Sequence, residues 1–419
     1  MDKLITYDNG LRVLVYNMPG VRSVSCGYWV GVGSADESAE VNGISHFTEH
    51  MMFKGTKTMS PFDIANAFES LGAAVNAFTG KETTCYYVKS VDEYFEKAFS
   101  LLSEIMFEST FDAEELDKER KVIVEEINMV EDSPEDICYD KISEAVYGNS
   151  GLGQTILGPI ENVLRFTGDD VRAHIEKFYT PDNIVIVFSG NITTDEADKL
   201  VKKYALDRFK RNEKNATVIK NSCQTHAFKE RVKDFEQSNI CLSFPSIAMD
   251  DENFGLQRAL SAVMGGGMSS RLFQAVREQS GLAYSVYTSP SAYKGTGMFN
   301  IYLNISEKNT RKALLAVKEE IDKFLKDGIT DAELERTKVQ LKASLVFTNE
   351  NVQSIMIAGG KNLVLSNVIF DVDDNIRQIN EVTKDTLDAF AREIFDYTKM
   401  NVAYVGKKTE VDIISVFNE

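Results

Sequence analysis

His46, Glu49 and His50 stand within residues 43–55, Gly-Ile-Ser-His-Phe-Thr-Glu-His-Met-Met-Phe-Lys-Gly. Residues four apart share one face of an α-helix, one turn apart, so both imidazoles can reach a single ion. Glu49 lies close enough to that face to touch a water on the metal. Two neutral nitrogens, one further ligand and an open position make a catalytic zinc site. The H-x-x-E-H spelling therefore points to a zinc peptidase with the inverted form of the zinc motif. The chain has four histidines, at 46, 50, 174 and 226, so finding two of them bracketing a Glu at this spacing is unusual.

The remaining ligand has to come from elsewhere. Glu125 and Glu126 both fall in a helix expected over residues 118–130, where Glu119, Val122, Ile123 and Glu126 recur at 3.6-residue spacing. That spacing places Glu126 on the apolar, buried side, where an unpaired carboxylate would cost several kcal/mol and a metal would remove the problem. Glu125 is expected to point to solvent.

The 419 residues are too many for one core, and 43% hydrophobic with 26% charged residues describes an ordinary globular chain. A net charge of −18 argues against nucleic acid as a partner. Cys26, Cys85, Cys138, Cys223 and Cys241 are odd in number and form no C-x-x-C pair, which suggests reduced thiols in a reducing compartment. No 18-residue apolar run and no signal-like N-terminus is present, so the expected location is cytoplasmic, with no membrane association.

The sequence repeats itself. Residues 167–190 resemble residues 383–406, each reading as a Thr-capped amphipathic helix, a polar turn and an apolar strand closing on Gly. Residues 112–126 resemble 331–344 at a similar offset. Two homologous domains are expected, 1–212 with the metal and 225–419 without it, joined by a polar linker at 213–224. Strands are expected at 11–17, 23–33 and 83–91. One helix should open at Ser60-Pro61 and close at Gly72, and another should cover 93–107. This mixture favours an α+β fold with mixed or antiparallel sheets packed against helices. His174 pairs with Phe390 in the repeat and reads as a packing residue. Gly265-Gly266-Gly267 lacks the Lys-Ser/Thr ending of a phosphate loop.

The chain resembles the pitrilysin/insulinase-type zinc peptidases, specifically the two-domain branch that includes the mitochondrial processing peptidase. The likeness covers essentially the whole chain. It is carried by the H-x-x-E-H segment together with Phe53-Lys54-Gly55-Thr56, Asn76-Ala77-Phe78-Thr79 and Thr155-Ile156-Leu157-Gly158-Pro159. The resemblance implies a liganding Glu 76 residues after the second His, which is Glu126, and a supporting acidic residue at Glu119. It also implies that Arg277 and Tyr284, in Val-Arg-Glu-Gln-Ser-Gly-Leu-Ala-Tyr, contact the substrate from the second half.

The same resemblance implies a clamshell-type peptidase with one Zn2+ per chain, hydrolysing unfolded peptides or N-terminal extensions. Glu49 would serve as proton carrier, Tyr284 as oxyanion partner and Arg277 as holder of a substrate carbonyl. The substrate would add as a strand at a sheet edge near Asn76 and Ala77. A homodimer is expected because one chain carries both the metal motif and the Arg/Tyr pair; a heterodimer with a non-catalytic homologue is the variant of this. The competing expectation is a non-catalytic structural or assembly subunit, or a peptide-binding homologue.

Overall fold

Apolar and β-branched runs near the N-terminus pair into a sheet that the later segments complete. A computed structural model describes residues 3–149, 151–209 and 223–419; of the expected linker only Cys223 and Gln224 are among the described residues. The first sheet contains β1 (Lys3–Thr6), β2 (Arg12–Asn17), β3 (Ser23–Val30), β4 (Ala74–Thr79), β5 (Thr84–Val91) and β6 (Ile184–Gly190). Its order is β1-β2-β6-β3-β5-β4, with β2 and β6 parallel and every other pair antiparallel. Strand β4 is therefore an edge.

The second sheet contains β7 (Phe228–Val232), β8 (Gln237–Ser246), β9 (Ala283–Thr288), β10 (Ser291–Tyr293), β11 (Thr296–Ser306) and β12 (Asn401–Gly406). Its order is β10-β11-β8-β12-β7, with β9 also on β11. Here β7 and β12 are the parallel pair, and β12 continues through antiparallel β8 to β11. The two sheets thus share one pattern, with β6 and β12 in matching places. Each of those strands follows a helix capped by Thr, Gly168–Phe178 by Thr167 and Lys384–Ile394 by Thr383, whose hydroxyls accept the N3 amide. The fold is a duplicated α+β architecture, as the repeat implied.

The compact units are not contiguous in sequence. One comprises Met1–Ile127, Gln154–Ile219 and Phe347–Phe370; the other comprises Asn128–Gly153, Lys220–Val346 and Asp371–Glu419. Helix Pro134–Tyr147 packs on β7, β8 and β12, and helix Val352–Ser366 packs on β2, β3 and β6. Each half of the sequence therefore lends a helix to the sheet built mainly by the other. Glycines permit the second of these contacts, since a methyl at Gly359 or Gly360 would overlap the Tyr16 or Trp29 ring.

The first core gathers Val13, Val15, Cys26, Tyr28, Phe99 and Phe188 with Phe47 and Met51 of the motif helix. Burying those last two side chains contributes about 1.5–3 kcal/mol each and fixes which way the helix faces. The second core is built on Ile240, Leu242, Phe244, Phe299, Ile301 and Tyr404. Among the described residues no helix is long and apolar enough to cross a membrane.

Candidate metal centre

The motif helix Ile44–Met51 turns Ile44, Phe47 and Met51 into the core, and this leaves His46 and His50 side by side, ring centroids 4.5 Å apart. Its N-terminal cap comes from a distance. Buried Glu37 accepts hydrogen bonds from the amides of Gly43 (2.7 Å) and Ser45 (2.8 Å) and from Asn42 Nδ2 (2.9 Å). A carboxylate there satisfies first-turn donors and complements the helix dipole.

The long helix Ala113–Asp132 brings Glu119 and Glu126 to the histidines. Glu126 Oε2 lies 3.6 Å from His46 Nε2 and 3.5 Å from His50 Nε2. Among the described residues these three form the one group of His, Cys, Asp and Glu able to hold a metal. Ligand atoms at the corners of a tetrahedral zinc site, with bonds of about 2.0–2.1 Å, stand about 3.4 Å apart. The two distances to Glu126 fit that ion.

The protonation states fit as well. Burial, then the neighbouring His50, lower the His46 pKa to about 3, so this ring is neutral at physiological pH. Burial alone would raise the Glu119 carboxyl, but hydrogen bonds from His50 and Lys54 outweigh it and hold the pKa below the ordinary range. An ionised carboxylate can only accept, so His50 Nδ1, 2.7 Å from Glu119 Oε1, carries the proton. In the neutral form of that ring, Nε2 carries the lone pair and faces Glu126 Oε2 at 3.5 Å. His46 Nδ1, by contrast, is buried with no hydrogen-bond partner among the described residues, and packing helps orient that ring.

Glu49 accepts a 2.5 Å hydrogen bond from Thr79 Oγ1 of β4. Burial raises its pKa, and the Thr79 bond opposes the rise. A carboxyl with a raised pKa beside a metal site suits a group that takes and returns a proton.

The placement of Glu126 differs from expectation. Its side chain is 41% exposed and Val122 is 50% exposed, whereas Glu119 is 3% exposed and Ile123 fully buried. The spacing correctly put the four on one broad face, but only half of that face is covered. Glu119 and Ile123 line the covered half, and Val122 and Glu126 form its rim. Desolvation therefore does not mark Glu126 out; its approach to both imidazoles does. Glu125 is exposed, as expected.

Asn76 and Ala77 lie on edge strand β4, three and two residues before Thr79, with Asn76 exposed. Arg277 and Tyr284 belong to the other unit, Arg277 in a π-helical segment, Phe273–Gln279, and Tyr284 on β9. They neighbour each other: the guanidinium lies 5.7 Å from the Tyr284 ring centroid, and that ring is 71% exposed. His174 is buried against Phe178 and Tyr179, a packing residue. Sequence reasoning gave no role to Thr79, Lys54 or Glu37. Thr79 and Lys54 stand inside phrases shared with relatives, the one signal that could have raised them.

The family description "Insulinase (Peptidase family M16)" matches residues 12–160, and "Peptidase M16 inactive domain" matches residues 165–341. The chain is 42% identical over 395 residues to the "Uncharacterized zinc protease YmxG" of Bacillus subtilis, covering 94% of this chain and 96% of that protein. It belongs to peptidase family M16, the pitrilysin/insulinase family. The first M16 match contains His46, Glu49, His50, Glu119 and Glu126; the inactive-domain match contains Arg277 and Tyr284. A protease from Helicobacter pylori superposes with a TM-score of 0.90 at 21% identity, covering 97% of this chain and 99% of that one. A chain of Complex III2 from Candida albicans superposes with a TM-score of 0.85 at 18% identity, covering 99% of each. At those identities the likeness attests the M16 fold.

Proposed function

We propose that this M16 chain is a zinc-dependent endopeptidase that hydrolyses unfolded peptides or N-terminal extensions. The observation that carries the reading is the convergence of two imidazole nitrogens and one carboxylate oxygen, close enough to share one ion, with a second carboxylate, Glu49, hydrogen-bonded to Thr79 nearby. His46, His50 and Glu126 would hold the ion. What bound zinc supplies there is Lewis acidity, enough to bring water into ionisation near neutral pH.

The protein's own groups do the rest. Glu49 takes a proton from the attacking water as the new C–O bond forms. It returns that proton to the amide nitrogen as the C–N bond breaks. Thr79 occupies Oε2 of Glu49 and so leaves Oε1 for the transfer. A substrate strand pairing with the free edge of β4 would run past Thr79 and be read through its backbone, which makes recognition tolerant of sequence. Arg277 would hold a substrate carbonyl and Tyr284 would donate to the oxyanion. We infer a homodimer in which these two residues act in trans, and sedimentation of a fully active monomer would overturn that arrangement. Four buried free thiols, Cys26, Cys85, Cys138 and Cys241, support a reducing, cytoplasmic setting.

Glu49→Gln is the test. It should retain zinc and abolish cleavage of an extended fluorogenic peptide. The fold shared with a Complex III2 chain supports a second reading, a non-catalytic subunit or peptide-binding homologue. Wild-type protein with stoichiometric zinc that cleaves nothing in a broad peptide library would favour it.

A further inference from the structure

Lys54 follows the motif helix in the phrase Phe-Lys-Gly-Thr, and its Nζ lies 2.7 Å from Glu119 Oε2. The other oxygen of Glu119 receives His50 Nδ1 at 2.7 Å. One carboxylate, almost completely buried, is thus gripped at both oxygens, by an ammonium on one side and an imidazole on the other. Both partners come from one short stretch of chain, while Glu119 comes from the separate helix Ala113–Asp132.

The backbone at Lys54 is fixed. Its amide donates to Met51 O (3.1 Å), Ser109 Oγ donates to Met52 O (2.8 Å), and Thr110 N donates to Gly55 O (3.2 Å). Thr56 N donates to Met59 O (2.8 Å), and Thr56 Oγ1 to Glu104 (2.9 Å). Gly55 has φ +119°, a conformation that side chains disfavour, so the turn after Lys54 calls for glycine. These ties hold the lysine stem where its ammonium meets Glu119, only 29% of the side chain being exposed.

From this geometry we propose that Lys54 is a positioning residue of the metal centre, fixing Glu119 so that Glu119 fixes the His50 ring. The inference rests on the zinc reading above. A carboxylate that accepts from two donors at once cannot rotate without breaking one bond, and a ring that donates to a fixed carboxylate keeps its other nitrogen aimed. Removing Lys54 leaves Oε2 of a buried carboxylate without a partner. The group then swings toward water, and the His50 ring loses its stop. His46 Nδ1 has no hydrogen-bond partner among the described residues, so the hydrogen-bonded support of the pair runs through His50.

The experiment compares wild type, Lys54→Met and Lys54→Arg, measuring the zinc dissociation constant by competition with a chromophoric chelator and the melting temperature of the metal-free proteins. Loss of a partner bonded directly to a metal-binding His typically weakens metal binding by about 10–100-fold, and Lys54 acts through such a partner, so the lower end of that range is expected. Lys54→Met should show that loss, and its metal-free melting temperature should also fall because a buried Glu119 oxygen loses its partner. Lys54→Arg, which can donate to the same oxygen, should recover most of the affinity. Wild-type zinc affinity in Lys54→Met, with or without a lowered melting temperature, overturns the assignment while leaving the zinc reading intact. Absence of zinc binding by the wild type overturns both.

Discussion

Thr79 Oγ1 donates to Oε2 of Glu49 at 2.5 Å, and this bond ties the proposed proton carrier to the edge strand along which a substrate would lie. Thr79→Val keeps the shape of the side chain and removes the donor. With its carboxylate free to turn, Glu49 should transfer protons less efficiently, and kcat should fall about 10-fold. KM should change less than about twofold, because the strand edge is untouched. Steady-state kinetics on one extended peptide separates these, and a rise in KM with unchanged kcat would show that Thr79 serves binding alone.

If the substrate pairs with β4, its affinity resides in alternate backbone N–H groups, since successive residues of a strand face opposite ways. A series of peptides, each N-methylated at one position near the scissile bond, should show KM rising about 10-fold or more at every second position. The positions between should behave as the unmethylated peptide does. Equal sensitivity at adjacent positions, or none at all, is incompatible with strand addition.

Away from the metal centre, Arg271 grips Glu333 through Nε at 2.7 Å and Nη2 at 2.9 Å, and Thr330 donates to the same carboxylate. Burial would raise the Glu333 pKa, but Arg271 and Thr330 lower it from 4.5 to about 2. A group whose folded-state pKa is depressed stabilises above its unfolded value; that stability declines below about pH 4.5 and is gone once pH falls through about 2. Glu333→Gln should therefore be less stable at pH 7 by about 2 kcal/mol, allowing for solvent screening, with the gap narrowing in acid. Melting curves of both proteins from pH 7 to pH 2.5 read this directly. A gap that stays constant over that range contradicts it.

The exchanged helix Val352–Ser366 rests on Trp29 and Tyr16 through its two glycines. Gly360→Ala sets a methyl into the Trp29 indole and should destabilise by about 1–3 kcal/mol, seen as a melting temperature lower by several degrees. An unchanged melting temperature would mean that the helix does not pack there.

Much of this was readable in the sequence. The spacing of His46 and His50, the Thr167 and Thr383 caps and the Ser60-Pro61 helix start are local signals, and the structure bears each of them out. What escaped depends on contacts between distant segments. Helical periodicity groups Glu119, Val122, Ile123 and Glu126 on a face, but the neighbours decide which part of that face is covered, and Val122 stays exposed. An amphipathic helix carries no label for the sheet it will join, so the exchange of helices Pro134–Tyr147 and Val352–Ser366 left no local mark. Lys54 meets Glu119 and Thr79 meets Glu49 only because the fold brings them together.

The central claim is a single ion shared by His46, His50 and Glu126. Crystals of zinc-loaded protein, measured on both sides of the zinc absorption edge, test it most directly. The expected result is one anomalous peak per chain, about 2.0–2.2 Å from both Nε2 atoms and from the Glu126 carboxylate. A peak that excludes Glu126, or its absence from crystals of protein shown to contain zinc, would contradict it.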